Sequence, residues 1–237
     1  MTPGRTAAAA LLLLAVGCSG GTPARSERTV TVFAASSLQQ AFTTAAQGYE
    51  AGHAGVKVVL SFAGSQSLVA QVRQGAPADV LATADPATLE LVRDRLRGAP
   101  VVFAHNQLAL VTARGNPLGL RTLQDLARPG LRVVLAGPTV PVGKAAAGAL
   151  AKAGVTVRPV SLEDAASGVV TKVRLGEADA GIAYVTDLRG AGLGGVAVPG
   201  SRTALAIATL TGGAAAGFVA YVRSPAGQQV LQSYGFQ

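Results

Sequence analysis

Residues 30–38 (VTVFAASSL) form a short apolar run that ends at two alanines and two serines. The run has the length and β-branched content of a buried strand, and a helical pattern follows it. A helix that begins directly after a strand presents backbone N–H groups without intrahelical partners and a partial positive charge. The stretch therefore predicts a strand that leads into a helix start suited to an anion. The alternative is that Ser36 or Ser37 serves only as an N-cap.

The alternation of strand and helix continues along the chain. In the first half, strands are predicted at residues 29–34, 56–61 and 79–83, and helices at residues 38–51, 67–74 and 86–97. In the second half, helices are predicted at residues 123–127, 141–153 and 169–175, and strands at residues 132–136, 155–158 and 181–185. This alternation is typical of a mostly parallel sheet covered by helices, which binds ligands beyond the carboxyl ends of its strands.

Two long apolar strands, predicted at residues 107–112 and 204–210, flank the second block. We predict an α/β fold of the periplasmic-binding-protein type with two lobes, each a mostly parallel sheet flanked by helices, joined by these two hinge strands. Lobe 1 would comprise residues 29–107 and 204–237, with helices at 215–222 and 226–234, and lobe 2 residues 108–203. A cleft between such lobes is expected to close on a ligand. One continuous sheet is the alternative that the pattern leaves open.

The N-terminal segment has the pattern of an export signal. Arg5 is followed by an apolar run at residues 7–16, which is too short to span a membrane and fits a secretory signal peptide at residues 1–17. Cys18 follows directly, as in the lipobox of bacterial lipoproteins. This resemblance implies cleavage before Cys18 and lipidation of its thiol, with residues 18–28 as a flexible tether. A free thiol beside an ordinary cleavage site is the alternative.

Composition excludes several function classes. Hydrophobic residues make up 49% of the 237 residues and charged residues 14%, which favours a folded core over disorder. Cys18 is the only cysteine, so an intrachain disulfide and a cysteine-based metal site are both excluded. The net charge is +8, but the basic residues are scattered rather than clustered, and Trp is absent. We therefore expect no nucleic-acid partner.

Residues suited to catalysis are sparse. His53 lies in a glycine-rich turn and His105 lies just before a hinge strand, and neither has a nucleophile and an orienting group nearby in the sequence. A Gly-x-Ser-x-Gly motif is also absent. Residues 137–144 (GPTVPVGK) have five residues between their glycines, Ala145 after the lysine and two prolines, so they are not a P-loop.

The aspartates near strand ends are interpreted as structural. Asp79 and Asp85 flank one predicted strand without a histidine or third acid nearby, so we predict an end-of-strand residue and an N-cap before Pro86. Asp179 and Asp187 are predicted to be turn and cap residues. We therefore predict no catalytic residues, no cofactor and no resident metal ion.

Five motifs occur in an order that is similar to the molybdate-binding proteins of bacterial ABC importers. They are residues 31–38 (TVFAASSL), 61–68 (SFAGSQSL), 75–81 (GAPADVL), 141–143 (PVG) and 176–187 (GEADAGIAYVTD). The resemblance extends from residue 29 to residue 236 and implies the two-lobed fold already inferred. It also implies an oxyanion ligand, molybdate or tungstate, and delivery to an ABC permease with its ATPase.

The resemblance implies five contacts with the oxyanion. Three come from side-chain hydroxyls, on Ser37, Ser65 and Tyr184, and two from backbone N–H groups, on Val142 and Ala166. Ser37 would also donate its own N–H. The assignment to Ala166 can shift by a residue because Ser167 and Gly168 follow, and Ser36 stands where many relatives have Ala, so that it could add a donor.

These donors suit a fully deprotonated oxyanion, whose oxygens only accept hydrogen bonds. Phosphate retains a proton near neutral pH, and a site without an acceptor binds that proton poorly. We therefore predict an exported, lipid-anchored, monomeric molybdate and tungstate receptor, located in the periplasm or on the outer face of the cytoplasmic membrane. The alternatives are a receptor for sulfate or another small oxyanion, an exported α/β hydrolase, and a surface adhesion module.

Overall fold

The computed structural model describes residue 1, residues 28–189 and residues 191–237. The predicted signal peptide, Cys18 and nearly all of the tether lie outside the described residues. Eight strands are found in the described residues: β1 (Arg28–Ala35), β2 (Val56–Ala63), β3 (Val80–Thr83), β4 (Arg97–Thr112), β5 (Val133–Ala136), β6 (Ser161–Glu163), β7 (Ala180–Tyr184) and β8 (Gly194–Thr209).

Eight α-helices accompany these strands in the same residues: α1 (Gln39–Gly52), α2 (Ser65–Arg73), α3 (Pro86–Glu90), α4 (Pro141–Lys152), α5 (Ala166–Arg174), α6 (Val185–Leu188), α7 (Ala214–Arg223) and α8 (Pro225–Ser233). Short 3-10 helices form at Ser36–Leu38, Arg93–Arg95 and Leu123–Ala127. None of the described helices has the length and apolar character needed to cross a membrane.

The strands hydrogen-bond in the order β2-β1-β3-β8-β4-β7-β5-β6. In lobe 1, β2, β1 and β3 are parallel and β8 joins β3 antiparallel. In lobe 2, β6, β5 and β7 are parallel and β4 joins β7 antiparallel. The eight strands thus form one hydrogen-bonded sheet, as in the continuous-sheet alternative, and the long antiparallel strands β4 and β8 at its centre join two mostly parallel halves that correspond to the predicted lobes.

The two long strands cross between the lobes as an antiparallel pair, in which His105 lies opposite Ala204 and Gln107 lies opposite Arg202. The pairing shifts register on either side of this crossing, which bends the ribbon. The C-terminal residue Gln237 also pairs with His105 through two backbone hydrogen bonds of 2.6 and 2.9 Å. These bonds attach the C-terminus of the chain to hinge strand β4.

The core of lobe 1 includes an aromatic cluster. The ring of Phe42 on α1 lies 5.8 Å from that of Phe103 on β4 and 6.0 Å from that of Phe218 on α7. Thr44 and Tyr234 join α1 to the residue that follows α8 through a hydroxyl–hydroxyl hydrogen bond of 2.8 Å. The two C-terminal helices therefore pack on lobe 1, as the sequence predicted.

Several predicted elements differ from the structure. The strand predicted at residues 155–158 does not form, and β6 occupies the sheet edge instead, beyond Pro159, which has no N–H for a ladder. The helix predicted at residues 86–97 ends at Glu90, because Val92 is fully buried with φ −121°, outside the helical range. The hinge strands are much longer than predicted, at 16 residues each.

Candidate functional site

A small cavity lies where the ends of strands and the starts of helices from both lobes meet. The lining residues are Ala35, Ser36, Ser37, Ala63, Gly64, Ser65, Ala84, Val140, Pro141, Val142, Ala165, Ala166 and Tyr184. All six residues singled out in the sequence are among them. The cavity volume is ≈ 10 Å³. This volume suits a compact ligand of a few atoms rather than a sugar or an amino acid.

Ser37 lies in the 3-10 helix that follows β1, and it does not cap a helix. The N-cap of α1 is Leu38, and the N-cap of the 3-10 helix is Ala35, neither with a side-chain capping bond. The alternative that Ser36 or Ser37 serves only as an N-cap is therefore wrong. Its Oγ is buried and has no hydrogen-bond partner in the described residues. Because an unsatisfied buried hydroxyl is costly, this group is available to a ligand.

Ser65 is the first residue of α2, two residues earlier than the predicted helix start, and its side chain is 2% exposed. Its Oγ accepts a hydrogen bond of 3.1 Å from the backbone N–H of Ala84, which follows β3. Since this bond uses a lone pair of the hydroxyl, its proton remains free to be donated. The contact thus orients Ser65 as a donor.

Val142 occupies the second position of α4, after Pro141 and the N-cap Val140. The first hydrogen bond of the helix runs from the N–H of Lys144 to the carbonyl of Val140 at 2.9 Å. Val142 comes before Lys144 in the chain, so its N–H belongs to the first turn. Such first-turn N–H groups have no intrahelical acceptor. A Cβ at Gly143 would lie 2.0 Å from the carbonyl oxygen of Gly137, so only glycine lets this turn pack against the end of β5.

Ala166 is the first residue of α5, and its N-cap Ala165 makes no side-chain capping bond. The N–H of Gly168 donates a hydrogen bond of 3.1 Å to the carbonyl of Ala165 and so already has an acceptor. Ala166, in contrast, lines the cavity. Ser167 lines a neighbouring cavity instead. The geometry therefore favours Ala166 over the two residues after it as the backbone donor on this helix.

Tyr184 ends β7, and its Oη is buried without a hydrogen-bond partner in the described residues. Burial raises the pKa of this phenol far above its ordinary value, the nearby carboxylates of Asp187 and Asp85 raise it further, and the side chain of Thr203 opposes the rise. The phenol therefore stays protonated at physiological pH and can donate. Tyr184 Oη and Ser37 Oγ therefore give the cavity one unsatisfied hydroxyl on each side.

The predicted aspartate roles agree with the structure. Asp85 caps α3 by accepting the N–H of Thr88 at 2.6 Å. Asp79 accepts the N–H of Thr31 at 2.8 Å, and Asp187 accepts the N–H of Tyr184 at 2.9 Å. Burial raises the pKa of Asp187 to about 7, and the hydrogen bond from Tyr184 opposes that rise. None of these carboxylates lines the cavity.

Charged side chains surround the cavity without lining it. Lys144 on α4 lies 4.0 Å from the Asp85 carboxylate, which joins the two lobes beside the cavity. In the described parts of the chain, no group of three or more His, Cys, Asp or Glu residues could hold a metal ion. The ring of His53 stacks on Tyr49 with centroids 4.0 Å apart, away from the cavity.

The sequence pattern assigned no role to Gly64 and did not indicate the neighbouring cavity. Gly64 lines the site between Ala63 and Ser65. A side chain at this position would collide with neighbouring atoms, which the residue type alone does not reveal. The neighbouring cavity, ≈ 250 Å³ on the same measure, shares Ser36 and Ser37 with the site and is also lined by Asp187 and Arg189. No sequence spacing links these residues.

The fold and the cleft, which no charged side chain lines, are those of a two-lobed α/β binding protein. A family model described as "Bacterial extracellular solute-binding protein" matches residues 30–237. The molybdate-binding protein ModA of Mycobacterium tuberculosis (strain H37Rv) is 40% identical over 239 residues, which cover 93% of this chain and 92% of the relative. The chain therefore belongs to the bacterial extracellular solute-binding proteins, and the predicted likeness to molybdate-binding proteins is confirmed.

Solved structures agree on the fold. The periplasmic molybdate-binding protein of Azotobacter vinelandii has a TM-score of 0.77 at 19% identity, covering 88% of this chain and 98% of that chain. The sulfate-binding protein SubI of Mycobacterium tuberculosis H37Rv has a TM-score of 0.76 at 19% identity, covering 88% and 86%. These relatives bind solutes and are not enzymes. This chain is likewise a binding protein, and the hydrolase alternative is wrong.

Proposed function

We propose that this protein is a receptor that binds molybdate, and also tungstate, outside the cytoplasm and delivers it to an ABC permease. The observation that carries the proposal is the small cavity lined from both lobes by hydroxyl and backbone N–H groups, without a charged side chain. The 40% identity to a ModA protein over nearly the whole chain supports molybdate as the ligand.

The donors have distinct proposed roles. Ser37 and Ser65 donate hydroxyl protons from lobe 1, and Tyr184 donates its phenolic proton from lobe 2. Val142 and Ala166 donate backbone N–H groups at the starts of two helices, where aligned peptide dipoles stabilise negative charge without a counter-ion. Ser36 adds a further hydroxyl at the boundary with the neighbouring cavity.

The donor set explains how protonated anions would be rejected. Molybdate, tungstate and sulfate are dianions at neutral pH and need only donors, whereas phosphate carries a proton that requires an acceptor. The cavity offers no side-chain carboxylate as such an acceptor. Charge alone does not separate molybdate from sulfate, so cavity size must do so.

The cellular setting is part of the same proposal. Cleavage before Cys18 and lipidation of its thiol would anchor a monomer through the tether to the outer face of the cytoplasmic membrane or within the periplasm. The lobe boundaries are proposed at residues 107/108 and 203/204, within the crossing of the hinge strands. The permease and its ATPase are the proposed protein partners.

Titration calorimetry with molybdate, tungstate, sulfate and phosphate tests the ligand assignment. We expect tight binding of molybdate and tungstate, weaker binding of sulfate and no binding of phosphate. Tight sulfate or phosphate binding without heat from molybdate would contradict the proposal.

A sulfate receptor is the second candidate. The observation that favours it is the match to the sulfate-binding protein SubI, whose TM-score nearly equals that of the molybdate-binding structure.

A further inference from the structure

We propose that Gly64 and the backbone carbonyl of Asp164 form the contact at which the two lobes close over the anion, so that the missing side chain at residue 64 sets the affinity. The inference rests on the proposed function, because it concerns closure of the same cleft. It adds a residue whose role is to admit the other lobe rather than to donate a hydrogen bond.

The contact lies at the side of the cleft farthest from the hinge. Strand β2 and strand β6 are the two ends of the strand order, and the hinge strands β8 and β4 are at its centre. Gly64 follows the last residue of β2, and Asp164 follows the last residue of β6. Opening about the hinge therefore separates these two residues more than any pair near the centre of the sheet.

The two backbones approach so closely that a side chain does not fit. A Cβ at residue 64 would lie 2.1 Å from the carbonyl oxygen of Asp164, well inside the distance at which carbon and oxygen touch. Because that oxygen is part of the backbone, it cannot rotate away as a side chain can. The same carbonyl accepts a hydrogen bond of 2.6 Å from Nε2 of Gln66, which holds it against lobe 1.

Conformation does not explain the glycine. Residue 64 has φ −61° and ψ 139°, an extended conformation that any L-amino acid adopts. After the Asp164 oxygen, the atoms nearest to such a Cβ are at the amide end of the Gln66 side chain, at 2.7 and 3.1 Å, and this side chain belongs to the same lobe and can turn. An added methyl group should therefore disturb the closed cleft while leaving the open protein unaffected.

The consequence for binding follows from where the donors lie. Ser37 and Ser65 belong to lobe 1, and Val142, Ala166 and Tyr184 belong to lobe 2. A methyl group wedged between Gly64 and Asp164 would keep the walls apart, so that one anion could not contact both sets at hydrogen-bond distance. The anion would enter as before and dissociate faster.

The test compares Gly64→Ala with the wild-type protein in molybdate titrations, stopped-flow kinetics and small-angle scattering. We expect affinity to fall by about tenfold or more, mainly through a faster dissociation rate. The molybdate-induced decrease in the radius of gyration should become smaller. The melting temperature of the ligand-free protein should not change.

Two further variants make the result specific. Gly148→Ala makes the same chemical change on α4 at a site where a Cβ meets nothing within 4 Å beyond its own helix backbone and chain neighbours, and should bind molybdate like the wild type. Gln66→Ala removes the hydrogen bond to Asp164 without adding bulk, and should weaken binding less than Gly64→Ala. If the wild type binds and Gly64→Ala binds equally tightly with full compaction, the closure contact is refuted. If the wild type binds neither molybdate nor another oxyanion, the proposed function itself is contradicted.

Discussion

The two walls of the cleft offer donors of different kinds. In the proposed site, lobe 1 supplies the side-chain hydroxyls of Ser37 and Ser65 and the backbone N–H of Ser37, whereas lobe 2 supplies the backbone N–H groups of Val142 and Ala166 together with the phenol of Tyr184. Side-chain donors can be deleted by substitution, but a backbone N–H is present whatever the residue. Substitutions in the two walls should therefore change the binding affinity unequally, even if the walls contribute equally to binding.

The largest effect is expected when both hydroxyls of lobe 1 are removed. Each of Ser37→Ala and Ser65→Ala leaves an anion oxygen without a donor, which costs on the order of 1–3 kcal/mol of binding free energy. The double variant should lose on the order of 2–6 kcal/mol if the two changes are additive. Calorimetric titration with molybdate measures this loss. Unchanged affinity in both single variants would remove lobe 1 from the proposed site.

Tyr184→Phe tests the single side-chain donor of lobe 2. We expect a loss of about 1–3 kcal/mol in binding free energy, comparable to one serine. Because the Oη has no partner in the described protein, its removal leaves no buried group unsatisfied, and the ligand-free protein should melt at the same temperature or slightly higher. A lower melting temperature with unchanged affinity would assign Tyr184 a structural role only.

A change of pH should have a smaller effect on the molybdate affinity. The pKa of Asp187 is raised to about 7, so this carboxyl beside Tyr184 ionises between pH 6 and 8 and then repels a dianion. Molybdate affinity should therefore fall as pH rises through 7, by less than about tenfold. Asp187→Asn keeps an acceptor for Tyr184 N–H and should flatten this dependence. An equal slope in both proteins would show that another group titrates.

The raised pKa of Asp187 also makes the free energy of unfolding depend on pH. The native protein retains the Asp187 proton to about pH 7, whereas the unfolded chain releases it near the ordinary value of 3.8. Between these values the native state binds more protons, so the free energy of unfolding contributed by this group decreases as pH rises. Denaturant titrations of the wild type and Asp187→Asn across this range would measure the difference.

The smallest effect on binding is expected from Val142→Ala. The substitution keeps the N–H that the anion would contact, so affinity should remain within about twofold. Loss of two buried methyl groups should still lower the free energy of unfolding, on the order of 1–3 kcal/mol, since Val142 is 1% exposed. A large loss of affinity would mean that the side chain, rather than the backbone, shapes the site.

The same contrast explains how much of the molecule could be predicted. Strand and helix alternation sufficed for the two lobes and the hinge, because apolar periodicity records burial directly. It failed for residues 155–158, where β-branched residues lie outside the sheet, and for residues 86–97, where the buried Val92 breaks the helix. In both places packing decided the backbone conformation, and local pattern did not.

The site was predictable to a different degree on each wall. Ser37, Ser65 and Tyr184 have side chains that mark them as donors, but Val142 and Ala166 could be named only through the family resemblance, because every residue except proline carries an N–H. The close contact at Gly64 was not predicted, because it depends on Asp164, which is 100 residues away in the chain and meets Gly64 only in the folded protein.

A crystal structure of the molybdate complex, with the metal located by its anomalous scattering, would show directly whether both lobes contact the anion. We expect one molybdenum peak in the cavity between the lobes, with its oxygens within hydrogen-bond distance of Ser37 and Ser65 hydroxyls, Tyr184 Oη, and the N–H groups of Val142 and Ala166. A peak elsewhere, or an anion contacted by one lobe only, would contradict the account.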